Sequence, residues 1–169
     1  TMEMAITDEL TGLYNRRFMT THLDQTLDQA KRQERSLAVL IADMDHFKSV
    51  NDTYGHDAGD AVLRELADRM RGSVRGVDLV CRFGGEEFVV ILPDTDLDAA
   101  GIGAERIRAR VAADPFLLPD GRTLERTVSV GIGALQSPTD TVETILKRAD
   151  AALYDAKTGG RNRVVAKAA

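Results

Sequence analysis

Two glycines precede two glutamates in Phe83-Gly84-Gly85-Glu86-Glu87-Phe88, and the apolar run Phe88-Val89-Val90-Ile91-Leu92 follows. A glycine pair between short strands signals a hairpin, and glycine also lets a ligand approach the backbone closely. Solvated turn acids are the plainer account, but these flanks are too apolar for a surface ribbon. Asp43 ends a second apolar run, Leu37 to Ala42. Ligands in open α/β sheets gather at strand ends. Taken alone, Asp43 could simply begin a loop. If the two strands are neighbours, Asp43 and a hairpin-tip carboxylate can share one Mg²⁺, a cation that takes oxygen ligands and brings phosphates with it.

Asn51 and Asp60 stand nine positions apart across a loop and a helix start. A carboxylate can accept from N1–H and the 2-amino group of guanine, and an amide adds an orienting bond; adenine offers no such donor pair. The plainer account puts Asp60 near the third helical position, where the dipole favours an acid. Lys157 and Arg161 straddle Gly159-Gly160. They read either as C-terminal dipole partners or, beside a metal and a nucleotide, as a phosphate clamp. Arg75, Asp78 and Arg106 would ordinarily be surface charges, the first two a weak local pair. Cys81 suits a small buried hydrophobe, and the three histidines are too scattered for zinc.

These residues need a scaffold. Asn15 caps a helix running to about Gln33, with Phe18, Leu23, Leu27 and Ala30 on one face. Leu37–Ala42 forms a buried strand. A turn-rich loop with Asn51, Asp52 and Gly55 comes next, then a helix capped by Asp57 with Val62, Leu63, Leu66 and Met70 inward. Leu79–Arg82 and Glu87–Leu92 form the hairpin strands. Thr95 or Asp96 starts a helix that Pro115 ends, and a turn lies before Glu125. Val128 to Ala134 alternates like a strand. Asp140 with Glu143 resembles a capping box for a helix ending at Gly159-Gly160, and Val164-Val165 begins a last strand. The fold class is α/β or α+β with a mixed sheet in one domain, 1–169. The polar start, 1–7, reads as a linker stub from an upstream regulatory domain.

Composition narrows the function. The chain has 169 residues, 43% hydrophobic, with 22 Lys+Arg against 27 Asp+Glu and a net charge of −5. That balance disfavours a broad nucleic-acid footprint while leaving room for one nucleotide in a local pocket. The longest apolar run, about six residues, is far short of a membrane span. A single cysteine rules out a disulfide framework and fits a reducing cytoplasm.

Arg82-Phe83-Gly84-Gly85-Glu86-Glu87-Phe88 resembles the signature of the GGDEF family of diguanylate cyclases, in its GGEEF form. Asp8 to Arg17, Asp43 to Lys48, Asn51 to His56, Ser129 to Ile132 and Ala149 to Asn162 are similar to further family segments, in order, over nearly the whole chain. His46 stands where relatives often carry an aromatic residue. The resemblance implies a central sheet wrapped by helices, related to the polymerase palm and to adenylyl cyclases. It implies condensation of two GTP into cyclic di-GMP and two pyrophosphates, across two copies of the domain facing each other as a dimer. Asp43, the Met44 carbonyl, Glu86 and Glu87 would hold Mg²⁺ (or Mn²⁺), and Glu86 would be the base for the 3′-hydroxyl. Asn51, Asp60 and His56 would meet guanine, with Gly85 beside the substrate. Phe47 and Lys48 amides, Lys157 and Arg161 would hold phosphates. Arg75-Gly76-Val77-Asp78 has the RxxD spacing of the family's product-inhibition site, with Arg106 as its second arginine.

Two other readings compete. One is a catalytically silent module that binds GTP or cyclic di-GMP. The other is a cyclase making a 3′,5′-cyclic mononucleotide, which the Asn51/Asp60 pair and the hairpin acids disfavour.

Overall fold

The computed structural model describes residues 5–167. Twelve elements follow along them: α1 (Arg16–Gln33), β1 (Leu37–Met44), α2 (Phe47–Tyr54), α3 (His56–Arg71), β2 (Leu79–Arg82), β3 (Glu87–Pro93), α4 (Leu97–Ala113), β4 (Phe116–Leu117), β5 (Thr123–Leu124), β6 (Val128–Ala134), α5 (Val142–Thr158) and β7 (Val164–Ala166). The main sheet has the order β2-β3-β1-β6-β7, and β4 and β5 form a separate small ladder. Only β6 and β7 run parallel; the other main-sheet pairs are antiparallel. This is the mixed α+β sheet expected from the sequence.

Strand periodicity divides the core in two. Ala38, Leu40, Ala42 and Met44 of β1 join Phe88, Val90, Val130 and Ile132 beneath α2, α3 and α4. Leu37, Val39 and Ile41 face the other way, with Val89 and Ile91, onto α1 and α5. Both faces of β1 are therefore covered, which explains its unbroken apolar run. In β6 the valines and isoleucine fill the first layer, and Gly131 and Gly133 underlie α5. A Cβ on Gly131 would overlap the Ala149 carbonyl oxygen and the Leu153 nitrogen, and one on Gly133 would overlap the Ile145 carbonyl oxygen. The helix backbone rests directly on the strand.

Three local expectations are corrected. The stretch after β1 holds the helix α2, because Phe47 and Val50 are buried and tertiary packing outweighs the turn-forming residues. Gly55, with φ 91°, is the N-cap of α3, not Asp57, which lies inside the first turn. The capping box of α5 is Thr141 with Thr144, one position beyond the Asp140/Glu143 pair. From Ala5 onward the start of the chain is tied to the domain. Ala5 and Ile6 accept hydrogen bonds from Asn15, and Asp8 pairs with Arg82 at 3.2 Å. Residues 1–4 of the linker reading lie outside the described residues.

Asp140, displaced from its expected capping role, has a larger one. Its buried carboxylate accepts from Arg148 Nη2 at 2.9 Å, Gln136 N at 2.8 Å and Thr144 Oγ1 at 2.9 Å. Burial alone would raise its pKa. The Arg148, Gln136 and Thr144 bonds reverse that and hold it at about 2, below the ordinary 3.8. A depressed folded-state pKa stabilises the fold fully above the unfolded value and ceases to do so as pH falls through the folded one, here an effect of about 2 kcal/mol. Asp140→Asn should therefore destabilise the protein near neutrality. The gap to wild type in denaturant-derived unfolding free energy should close between about pH 5 and about pH 2. A gap independent of pH would contradict this assignment.

Candidate active site

β1 delivers Asp43 to the end of the sheet, opposite Glu87 on one side and Ser129 on the other. Glu86 lies in the hairpin tip just before β3. Arg82 braces this tip, donating to the Gly85 carbonyl at 2.7 Å while also pairing with Asp8. The Arg16 guanidinium stacks over the next hairpin residue, Phe83, at 4.2 Å. From the far side α5 brings Lys157, whose Nζ lies 2.6 Å from Asp43 Oδ2. The other oxygen, Asp43 Oδ1, is buried without a hydrogen-bond partner.

Electrostatics make this corner acidic and cation-seeking. Burial pushes the Asp43 carboxyl up against the opposing pull of Lys157, and the Asp45 charge adds to the rise. Burial and then the Asp43 charge push Glu86 up, and Glu87 is raised by burial, Asp43 and Asp150. An orphaned buried carboxylate oxygen and mutually repelling acids are the environment that a divalent cation relieves. Among the described residues no cluster of three or more His, Cys, Asp or Glu side chains could hold a metal unaided. An ion here would need backbone and phosphate oxygens as well, which suits a hard cation carried with a nucleotide. The Met44 carbonyl, at the end of β1 beside Asp43, would be one such donor.

Asp45, which sequence reasoning passed over, ties the surrounding loops together. Its buried carboxylate accepts from Ser129 Oγ and Thr127 Oγ1, each at 2.6 Å, and from the Asn162 amide at 3.0 Å. The last bond fixes the turn after α5, where Arg161 and Asn162 both hold positive φ. Its position just past the end of β1, two residues after Asp43, was the available clue. Phe47 and Lys48 open α2, and His46 before them is left-handed at φ 57°. Asn51 sits on the last turn of α2, and His56 begins α3. Asp60 is the fifth residue of α3, not near the third, so dipole complementarity explains it poorly.

Arg75, Asp78 and Arg106 gather elsewhere, around a cavity of about 190 Å³ that also includes Thr95 and Ile102. Arg75 Nη2 pairs with the Asp78 carboxylate at 2.7 Å and also donates to the Pro93 carbonyl at 3.0 Å. Pro93 ends the strand that Glu87 begins, so the two sites are separated by roughly 20 Å of β3.

The diguanylate cyclase GGDEF domain model matches residues 5–163. The response regulator PleD of Caulobacter vibrioides is 52% identical over 99% of this chain, which spans 37% of that protein's length. The GGDEF domain of DgcB from Caulobacter crescentus, solved in complex with c-di-GMP, superposes with a TM-score of 0.93 at 34% identity, covering 98% of this chain and 95% of that one. An active GGEEF domain of a diguanylate cyclase from Vibrio cholerae superposes with a TM-score of 0.85, also at 34% identity, covering 92% and 97%. The motif order read from the sequence, the sheet that assembles it and these similarities agree: the chain belongs to the GGDEF family of diguanylate cyclase domains.

Proposed function

We propose that this domain condenses two GTP molecules into cyclic di-GMP with release of two pyrophosphates. The observation that carries the reading is the corner where Asp43, held by Lys157 and left with one orphaned oxygen, faces the Glu86-Glu87 hairpin tip. In this reading each domain binds one GTP. Asn51 and Asp60 take the guanine edge with His56 nearby, and the free amides at the start of α2 receive phosphate oxygens. Lys157 and Arg161 meet the β- and γ-phosphates. A divalent ion on Asp43, the Met44 carbonyl, Glu86 and Glu87 would neutralise the triphosphate and ease loss of the 3′-hydroxyl proton.

A second copy of the domain, facing the first, presents its GTP in line. The 3′-oxygen attacks the α-phosphorus of the opposite nucleotide, forming one phosphodiester bond as the bond to the β-phosphate oxygen breaks. Pyrophosphate leaves, and the hydroxyl proton passes to the Glu86 carboxylate. The same step with the roles exchanged closes the ring. Most of the catalysis is positioning and charge neutralisation, as in other phosphoryl transfers. The free buried thiol of Cys81 fits a reducing, cytoplasmic setting. No helix among the described residues is long and apolar enough to cross a membrane.

The cavity around Arg75, Asp78 and Arg106 would take the product. Arginine donates bidentately to guanine N7 and O6, and aspartate accepts from N1–H and the 2-amino group. The cyclic di-GMP in the related DgcB domain supports a product-binding role for the fold.

Glu86→Gln keeps the size of the side chain and removes its charge. It should lower turnover at least about 100-fold with an unchanged melting curve. Near-normal turnover in a folded variant would remove the hairpin acid from the mechanism. Arg75→Ala and Asp78→Ala should each weaken cyclic di-GMP binding about tenfold by calorimetry and relieve product inhibition. Wild-type affinity in both variants would leave the pair as a surface contact.

A further inference from the structure

Gly59 lies buried inside α3, and nothing in its backbone calls for glycine. It is not among the residues with positive φ, and glycine is disfavoured at interior helix positions. Its neighbours supply the reason. A Cβ on Gly59 would overlap Asn51 Oδ1 and would stand 3.0 Å from Asn51 Cγ and 3.3 Å from Phe47 Cζ. The amide of Asn51 thus lies in the space that a side chain at position 59 would fill, on the helix turn that carries Asp60. No hydrogen bond to the Asn51 side chain is present among the described residues, so packing sets its position. The slot has two walls, the bare Cα of Gly59 and the buried ring of Phe47.

We infer that Gly59 is a positioning residue for base selection, its missing side chain holding the Asn51 amide in register with the Asp60 carboxylate so that both meet one guanine edge. This rests on the reading of Asn51 and Asp60 as the guanine contacts. The physical logic is preorganisation. An amide already held in its slot loses little rotamer freedom when the base arrives. A methyl group at position 59 would turn the amide away before the base could reach it. The overlapping atom is the end of a side chain that can turn away, and the Phe47 ring need give only a few tenths of an ångström, so the fold should accept the methyl group and the helix should gain from it.

The test is a double-mutant cycle read by calorimetry with a non-hydrolysable GTP analogue and Mg²⁺. Gly59→Ala should weaken binding about tenfold, while its melting temperature stays level or rises. In steady-state assays its KM should rise with kcat nearly unchanged, since the reacting atoms are untouched. In an Asn51→Ala background the same substitution should cost less than about twofold, because the displaced amide is already gone. Wild-type affinity in Gly59→Ala, an equal loss in the Asn51→Ala background, or failure of Gly59→Ala to fold would each overturn the inference. Unchanged affinity in Asn51→Ala alone would overturn the guanine reading itself, and the inference with it.

Discussion

The backbone of α5 rests on Gly131 and Gly133 of β6, and the position of Lys157 depends on that contact. Any larger residue at either glycine would press against backbone atoms of the helix, which cannot rotate aside as a side chain can. The helix would have to lift. Lys157 lies near the end of α5, one turn beyond Leu153, and its ammonium must reach a carboxylate on β1, two strands over from β7. At 2.6 Å the pair is formed, and it keeps Asp43 from being a lone buried acid. Partly buried ion pairs lose hydration on both sides, so such a pair is better understood as fixing geometry than as adding stability.

Asp43 and Asp45 show how the same residue type serves two purposes two positions apart. Asp45 has its oxygens occupied by Ser129, Thr127 and Asn162, and it holds the end of β1, the start of β6 and the turn after α5 in one arrangement. Asp43 keeps one oxygen bare. The saturated acid is scaffold, and the unsatisfied one is the acid that the proposed metal site would use. Residues supported by such packed, hydrogen-bonded neighbours can bind charge without reorganising at the moment of reaction. The Arg75/Asp78 cavity follows a related pattern at the other end of β3: Asp78 is nearly covered, and Arg75, half exposed, keeps a face toward solvent.

Much of this was legible in the sequence because chemistry and topology mark it directly. The unbroken run of β1, the hairpin glycines and the Val/Gly alternation of β6 named the strands. The acids and cations at their ends pointed to the candidate site. What escaped had a physical reason in each case. The helix α2 carries the turn formers Asn51 and Asp52 and is helical because Phe47 and Val50 are buried. Gly55 replaced Asp57 as the cap because a backbone turn at φ 91° is available only to glycine at low cost. The roles of Asp45 and Gly59 depend on partners up to 117 positions distant, as with Asn162, or on a steric gap, and neither leaves a local pattern. The paired glycines of β6 were visible as glycines, but only the helix lying on them shows why they are there.

The central claim is that one chain type joins two guanine nucleotides across two facing copies. Its most direct measurement is the mass and stoichiometry of the products formed from GTP and Mg²⁺ by purified protein over a wide range of concentrations. The account predicts a cyclic dinucleotide with two pyrophosphates for each ring, and specific activity that rises with protein concentration until the pairing of domains saturates. A cyclic mononucleotide, or no turnover at any concentration by a protein that still binds GTP, would contradict it.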